Sequence, residues 1–155
     1  MGNHPGRWRL AVAPVAVSLL ITGCGAAKPE KLKLDKGQKR IARIICRVAK
    51  EEKASSKVRL AAVEAALVES NMRNLDHGHA SSLGVFQQQS GWGGAKQRTD
   101  PAWATRKFIS AARKKDSPKY DAGTLAAEVQ RPASEYRGRY ADREGHARYV
   151  IQTYC

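Results

Sequence analysis

Hydrophobic positions beyond residue 38 recur every three to four residues, a spacing that is typical of amphipathic helices. The clearest stripe lies between Gln38 and Lys53, and it consists of Ile41, Ile44, Ile45 and Val48. A second segment, from Lys57 to about Ser70, is richer in alanine, which favours a helix that packs closely against its neighbours. The pattern therefore predicts two core helices in this region.

Turn signals divide the rest of the chain into shorter elements. The polar segment 71–82 predicts a loop, and Asp100 followed by Pro101 predicts the N-cap and first position of a helix that runs to about Lys115. The other predicted elements are a short helical turn over 83–89, a glycine loop over 91–94, a helix over 124–131 capped by Thr124, and a last helix over 142–153. Because no segment alternates convincingly between apolar and polar residues, we predict an all-α fold.

The first 23 residues have the charge order of a secretory signal. Arg7 and Arg9 precede an uncharged twelve-residue stretch, Leu10 to Ile21. Twelve helical residues span only about 18 Å, too little for a hydrocarbon core of roughly 30 Å. The stretch ends in Ile21-Thr22-Gly23-Cys24, which resembles a bacterial lipobox and implies a lipid on Cys24. The alternative is an ordinary signal peptide that happens to contain a cysteine.

We therefore divide the chain into a signal peptide (1–23), a tether (24–37) and one helical domain (38–155). The part that remains after cleavage has the size of a single domain with a workable core. The tether prediction rests on the alternating lysines after Cys24, which leave no apolar face. We expect an exported monomer that is anchored through Cys24 to the outer face of the cytoplasmic membrane.

The chain carries a formal net charge of +14 at pH 7, which indicates an anionic partner. For an exported protein, anionic cell-wall polymers and lipid headgroups are the available candidates. The basic residues are scattered and are not paired with stacking aromatic residues, so we expect no nucleic-acid partner. The alternative is a basic surface that is solvated and has no dedicated ligand.

Two cysteines remain after Cys24. Cys46 lies in the first predicted helix and Cys155 is the final residue. Outside the cytoplasm the two can form a disulfide that closes most of the domain into one loop and fixes the C-terminus. Free thiols, or pairing with another chain, are the alternatives.

Glu69 is the strongest candidate for chemistry because of its position. It ends the second predicted helix, directly before the polar loop. The partly negative C-terminal end of a helix and apolar neighbours such as Val68 would both raise the pKa of this carboxyl group. An acid that stays protonated near neutral pH can donate a proton to the leaving oxygen of a glycosidic bond. Glu64 points in another direction and is not expected to share the site; a solvent-exposed Glu69 without function is the alternative.

Two motifs around Glu69 resemble those of lytic transglycosylases, a family with the lysozyme-like α-fold. The first is Ala66-Leu67-Val68-Glu69-Ser70-Asn71, and the second, after a loop, is Ser82-Leu83-Gly84-Val85-Phe86-Gln87. Weaker matches are Val129-Gln130-Arg131-Pro132 and Arg148-Tyr149-Val150. The resemblance covers about residues 58–152 and implies a lysozyme-like, transglycosylase-type domain from a branch of exported actinobacterial proteins.

The resemblance also implies a mechanism and a set of site residues. Glu69 would act as general acid and then base on the bond between MurNAc and GlcNAc in the glycan strands of peptidoglycan. The substrate's own N-acetyl and 6-hydroxyl groups would complete the reaction, so neither a cofactor nor the second carboxylate of most glycosidases is needed. The residues expected to bind substrate are Ser70, Ser82, Gln87, Trp92, Gln130 and Tyr149, with Ser70 shaping the turn and the tyrosine approaching the acid.

Several aromatic residues have two interpretations. Trp92, in its glycine loop, either stacks on a sugar or packs against the protein, whereas we expect Trp103 in the core. Tyr136, Tyr140 and Tyr149 are candidates either for lining the groove or for packing near the C-terminus.

The loop before Ser82 departs from the family pattern. It reads His77-Gly78-His79-Ala80-Ser81, where relatives tend to carry acidic residues. This difference favours transglycosylation over hydrolysis, or an inactive relative. Two histidines on a loop without cysteine or carboxylate neighbours make a poor zinc site, so we expect no metal. The rival functions are a non-catalytic cell-wall-binding lipoprotein and a surface lipoprotein that binds DNA with a strong dependence on salt.

Overall fold

The computed structural model describes residues 25–155, so the predicted signal peptide and Cys24 lie outside the described residues. The helices are α1 (Lys36–Glu51), α2 (Ser56–Ser70), α3 (Ala95–Arg98), α4 (Pro101–Lys115), α5 (Ala122–Gln130) and α6 (Glu144–Tyr154). Short 3-10 helices cover His79–Ser81, Ser90–Trp92, Ser134–Arg139 and Ala141–Arg143. Over residues 25–155 there is no β-strand, only an isolated bridge between Leu83 and Gln88, so the prediction of an all-α fold is confirmed. None of the helices described is long and apolar enough to cross a membrane.

Helix α2 lies at the centre of the domain and contacts α1, α4, α5 and α6. It is apolar on all sides, as expected for a helix that is surrounded by others. Its fully buried alanines allow the neighbouring helices to approach closely; they are Ala61, Ala62, Ala65 and Ala66. Glu64 and Glu69 therefore both lie on a buried helix, but they line different pockets.

Aspartate side chains cap the N-terminal ends of α4 and α5. Asp100 caps α4 and Pro101 is its first residue, as predicted. The predicted cap of α5 is wrong: the helix begins at Ala122, and the carboxylate of Asp121 accepts a hydrogen bond from the backbone N–H of Thr124 at 2.7 Å. Thr124 therefore lies inside the first turn, because an extended aspartate three residues earlier satisfies its backbone donor.

The predicted helical turn over 83–89 is also wrong. Leu83 and Gln88 exchange two backbone hydrogen bonds of 3.0 Å, and the chain between them makes a tight turn. Gly84 and Gln87 have φ values of +77° and +45°. Positive φ angles are incompatible with a right-handed helix, so this segment folds back on itself instead.

A disulfide joins Cys46 in α1 to Cys155, which follows α6. The two cysteines are 109 positions apart, so the bridge closes nearly the whole described domain into one loop. The predicted pairing is confirmed, and the last helix is held against the first.

The segment before α1 contacts the domain, although the sequence predicts a tether over 24–37. The backbone N–H of Glu30 donates to the carbonyl oxygen of Gly145 at 2.9 Å, and Leu34 is buried. Helix α1 begins at Lys36, slightly earlier than predicted, because Asp35 and Gln38 form a reciprocal capping box. In the alternation of lysine and leucine at 31–34, Leu34 is buried, Leu32 is partly buried and both lysines are exposed.

Candidate functional site

Glu69 lies on the last turn of α2 and opens into a groove of about 1140 Å³. The walls of the groove come from α4, the end of α5, the loops 79–92 and the segment 131–140. Five of the site residues predicted from the sequence line it: Glu69, Ser82, Gln87, Trp92 and Gln130. Two others, Ser70 and Tyr149, do not line it.

The carboxyl group of Glu69 is half-buried and receives a short hydrogen bond from Tyr140. The Tyr140 hydroxyl donates to Glu69 Oε1 at 2.5 Å. Burial raises the pKa of Glu69 above its usual range, and the hydrogen bonds from Tyr140 and Gln130 partly oppose this shift because they favour the ionised form. The site therefore combines a carboxyl group whose pKa is raised with two donors that stabilise the carboxylate once the proton has left.

Tyr140 is the tyrosine that approaches Glu69, so the role predicted for Tyr149 is wrong. Tyr140 is only 1% exposed and lies between the 3-10 helices Ser134–Arg139 and Ala141–Arg143. Burial and the neighbouring charge of Glu69 raise the pKa of Tyr140, which keeps its hydroxyl a donor. Each tyrosine follows an arginine, so the sequence offered two similar Arg-Tyr pairs. Only the fold distinguishes them, since α6 carries Tyr149 outside the groove lining.

Ser70 has a structural role beside Glu69 and does not face the groove. Its buried hydroxyl donates to the carbonyl oxygen of Val85 at 2.8 Å and accepts from the backbone N–H of Arg73 at 3.1 Å. The serine thereby joins the end of α2 to the turn over 83–88. This geometry agrees with its predicted role in shaping the turn but corrects its prediction as a substrate ligand.

Gln130 connects three parts of the site. Its Nε2 donates to the carbonyl oxygen of Phe86 at 2.8 Å, and its side chain also hydrogen-bonds Glu69. It therefore fixes the end of α5 against the 83–88 turn and places an amide next to the acid.

Gln87 lines the groove, but its amide group is already used by the loop. Its Nε2 donates to the carbonyl oxygen of Gly84 at 3.1 Å. Gly84 is required at this turn because a Cβ there would lie 2.0 Å from the carbonyl oxygen of Arg98. The predicted contact between Gln87 and substrate would thus have to compete with the hydrogen bond that closes the turn.

Arg98, which no sequence pattern singles out, holds the loops on this side of the groove together. Its buried guanidinium group donates to the carbonyl oxygens of Ser81 at 2.5 Å, Gln88 at 2.9 Å and Gly93 at 2.9 Å. These three carbonyl groups flank the segments that carry Ser82 and Trp92. A buried cation with three backbone acceptors is therefore what positions this wall.

The rest of the groove is basic and aromatic. Lys107, Lys114, Lys115 and Arg131 line it, and Glu69 is the only carboxylate among its described lining residues. Trp92 is half-buried in the wall, and Tyr136 is 44% exposed. Trp103 packs partly against the core, as expected, and stays outside the lining. A neutral or anionic polymer with flat faces would suit such a surface.

No protein-family model matches the chain, and a search of curated proteins gives no match either. The assignment of a function therefore rests on the residues and their geometry.

Proposed function

We propose that the protein is a lytic transglycosylase, with a lysozyme-like form of the all-α fold, that cleaves the MurNAc–GlcNAc bond of peptidoglycan with Glu69 as its acid. The observation that carries this proposal is the environment of Glu69: a half-buried carboxyl group with a raised pKa, contacted by Tyr140, in a long groove. A proton held near neutral pH is what the leaving oxygen of a glycosidic bond requires.

The charge of the groove supports a mechanism with a single carboxylate. Most glycosidases place two carboxyl groups on either side of the scissile bond. Among the groove-lining residues of segment 25–155, Glu69 has no such partner. In the proposed reaction Glu69 protonates the leaving oxygen as the bond from C1 of MurNAc to that oxygen breaks, and the Tyr140 hydroxyl stabilises the carboxylate that forms. The 6-hydroxyl of the same MurNAc then bonds to C1 and gives its proton to Glu69.

The residues that line the groove suit a glycan strand as the substrate. Trp92 and Tyr136 offer aromatic faces on which sugar rings can stack, and the lysines and arginine nearby suit the carboxylates of the peptides attached to MurNAc. The lipobox-like sequence at Cys24 favours a location at the outer face of the cytoplasmic membrane, where the cell wall is within reach. We include the lipid anchor in the proposal on that sequence pattern alone.

A digest of purified peptidoglycan, analysed by mass spectrometry, tests the proposal. The wild-type chain should release anhydro-muropeptides, and Glu69→Gln should lower this release by a factor of about 100 or more. Glu64→Gln is the matched control, because it changes a buried glutamate of the same helix that lies outside the groove. Products with a free reducing end would identify a hydrolase instead.

The basic groove also fits the alternative, a non-catalytic lipoprotein that binds the cell wall. Lys107, Lys114 and Arg131 would retain an anionic polymer whether or not a bond is cleaved. In that case the wild-type chain and Glu69→Gln would both sediment with peptidoglycan, release no product, and be displaced by salt. That outcome would contradict the enzymatic proposal.

A further inference from the structure

A second pocket, of about 780 Å³, shares no lining residue with the groove. It lies between the segment 26–29, the first half of α2, the start of α5 and one face of α6. Its size is within the range of small-molecule sites. The proposed transglycosylase reaction makes no use of it.

Glu64 lines this pocket with an unsatisfied oxygen. The residue is 1% exposed, and within residues 25–155 its Oε2 atom has no hydrogen-bond partner. Buried carboxyl oxygens without a partner are rare because the lost hydration is not replaced. Glu64 thus brings to the wall of the pocket a carboxyl group with an oxygen that no donor of the described chain satisfies.

Arg59 lines the same pocket with an unsatisfied donor. Its Nε atom is buried and, in the described part of the chain, has no hydrogen-bond partner. Two of the neighbouring cations are paired: Arg148 lies 2.6 Å from Glu144, and Lys57 lies 2.5 Å from Asp116. One buried donor and one buried acceptor are left, and they do not bond each other.

These two atoms define the chemistry of a ligand. Arg59 and Glu64 both line the pocket, so a ligand that reaches both needs two polar groups separated by a short spacer. Apolar residues also line the pocket, among them Leu60 and Ile151, and they suit an aliphatic spacer. A metal ion does not fit, because residues 25–155 hold no group of three or more His, Cys, Asp or Glu side chains that could share one.

We propose that this pocket binds a small zwitterion whose ammonium group donates to Glu64 and whose carboxylate accepts from Arg59. The ligand class is an ω-amino acid or a short peptide with free ends. This site is independent of the proposed cleavage of peptidoglycan.

Binding of an ammonium group should be linked to the ionisation of Glu64. Burial first, and then the charges of Glu144 and Asp121, raise the pKa of Glu64 to about 8, against the opposing effect of Arg148. The other charged residues that line the pocket are Lys28, Lys57 and Arg59. Below pH 8 the carboxyl group holds a proton that the ligand must displace, so affinity should rise about tenfold per pH unit up to pH 8 and then level off.

Isothermal titration of the full-length chain with δ-aminovalerate tests the proposal. Valerate, which lacks the amine, and n-pentylamine, which lacks the carboxylate, are matched probes, and each should bind at least about tenfold more weakly. Glycylglycine serves as the peptide probe. Tighter binding of δ-aminovalerate supports an ω-amino acid as the ligand, and tighter binding of glycylglycine supports a peptide.

Two variants assign the contacts. Glu64→Gln should lower the affinity for δ-aminovalerate about tenfold or more, abolish its pH dependence, and leave the binding of valerate unchanged. Arg59→Met should weaken the binding of valerate and leave the binding of n-pentylamine unchanged. Glu69→Gln, in the other pocket, should bind all probes like the wild type.

Three results would overturn the proposal. The first is equal affinity for δ-aminovalerate and its two matched probes, or no binding of any probe by a wild-type chain whose melting curve shows it to be folded. The second is a pH dependence that persists in Glu64→Gln, which would assign it to another group such as His146 of α6. The third is an unchanged affinity in both Glu64→Gln and Arg59→Met. Peptidoglycan cleavage by these two variants should be measured in parallel. The two assays then show separately whether this binding site and the proposed enzymatic activity exist.

Discussion

Replacing Tyr140 with phenylalanine removes one atom from the candidate site and keeps the buried ring. The hydroxyl oxygen lies 2.5 Å from Glu69 Oε1, which is the distance of a charge-assisted O–H···O⁻ bond. A hydrogen bond to a charged group contributes about 1.5 to 3 kcal/mol, and it acts here on the ionised form of Glu69. Its loss should therefore raise the pKa of Glu69 further.

The same free energy sets the expected effect on catalysis. When Glu69 donates its proton it becomes a carboxylate, and Tyr140→Phe removes a bond that stabilises this product. A loss of about 1.5 to 3 kcal/mol corresponds to a rate lower by about 10- to 100-fold. The alkaline limit of the pH–rate profile should move to higher pH, because Glu69 would retain its proton longer.

The pKa can be measured without any assumption about function. Carbon NMR of chains with labelled glutamate carboxyl groups, with Glu69 assigned by comparison with Glu69→Gln, gives the titration directly. Tyr136→Phe is the control, since this groove tyrosine is exposed and makes no hydrogen bond to Glu69. A pKa of Glu69 that stays the same or falls in Tyr140→Phe would refute the reasoning, as would an equal shift in Tyr136→Phe.

Three further predictions concern stability. Reduction of the Cys46–Cys155 bridge should lower the free energy of unfolding by about 4 to 5 kcal/mol, and a melting curve that is insensitive to reductant would contradict this. Arg98→Met should cost about 2 to 4 kcal/mol and speed hydrogen exchange over residues 79–93, whereas the surface control Arg106→Met should change neither by much. The pKa of Glu64 is about 8 in the folded chain against an ordinary value of 4.5, so Glu64 is destabilising once pH rises above 4.5. Glu64→Gln should therefore gain stability relative to the wild type between pH 5 and 9, by at most about 5 kcal/mol in chemical denaturation. Parallel pH profiles of the two chains would contradict the burial of an ionisable Glu64.

The elements predicted well are those with a local cause. The isoleucine stripe of α1 and the Asp100-Pro101 start of α4 each specify a helix within a few residues, and both helices are present near the predicted bounds. The prediction of a bridge between Cys46 and Cys155 rested on the two cysteines that remain after Cys24 in a chain that we expect to be exported, and the structure contains this bridge.

The elements predicted poorly depend on tertiary contacts. The segment 27–34 reads as polar because four of its eight residues are charged, yet burial of Leu34 against the domain holds it in place. The turn over 83–88 is fixed by the close approach of Gly84 to Arg98, which are distant in sequence. The sequence resemblance pointed to Tyr149, and only the path of the chain after α5 shows that Tyr140 is the tyrosine that reaches Glu69.

The two buried glutamates of α2 show why a raised pKa alone does not identify an acid catalyst. Burial raises the pKa of both, and Glu64 is the more buried of the two. Glu64, however, has an oxygen without a donor in the described chain, and the charge of Arg148, not a hydrogen bond, is what opposes the rise of its pKa. Glu69 opens into the groove and has Tyr140 and Gln130 beside it. A general acid must both hold a proton and release it, and the donors around Glu69 serve the release. Comparing Glu64→Gln with Glu69→Gln in one assay therefore separates burial, which they share, from a place in the groove and hydrogen bonding to Tyr140, which only Glu69 has.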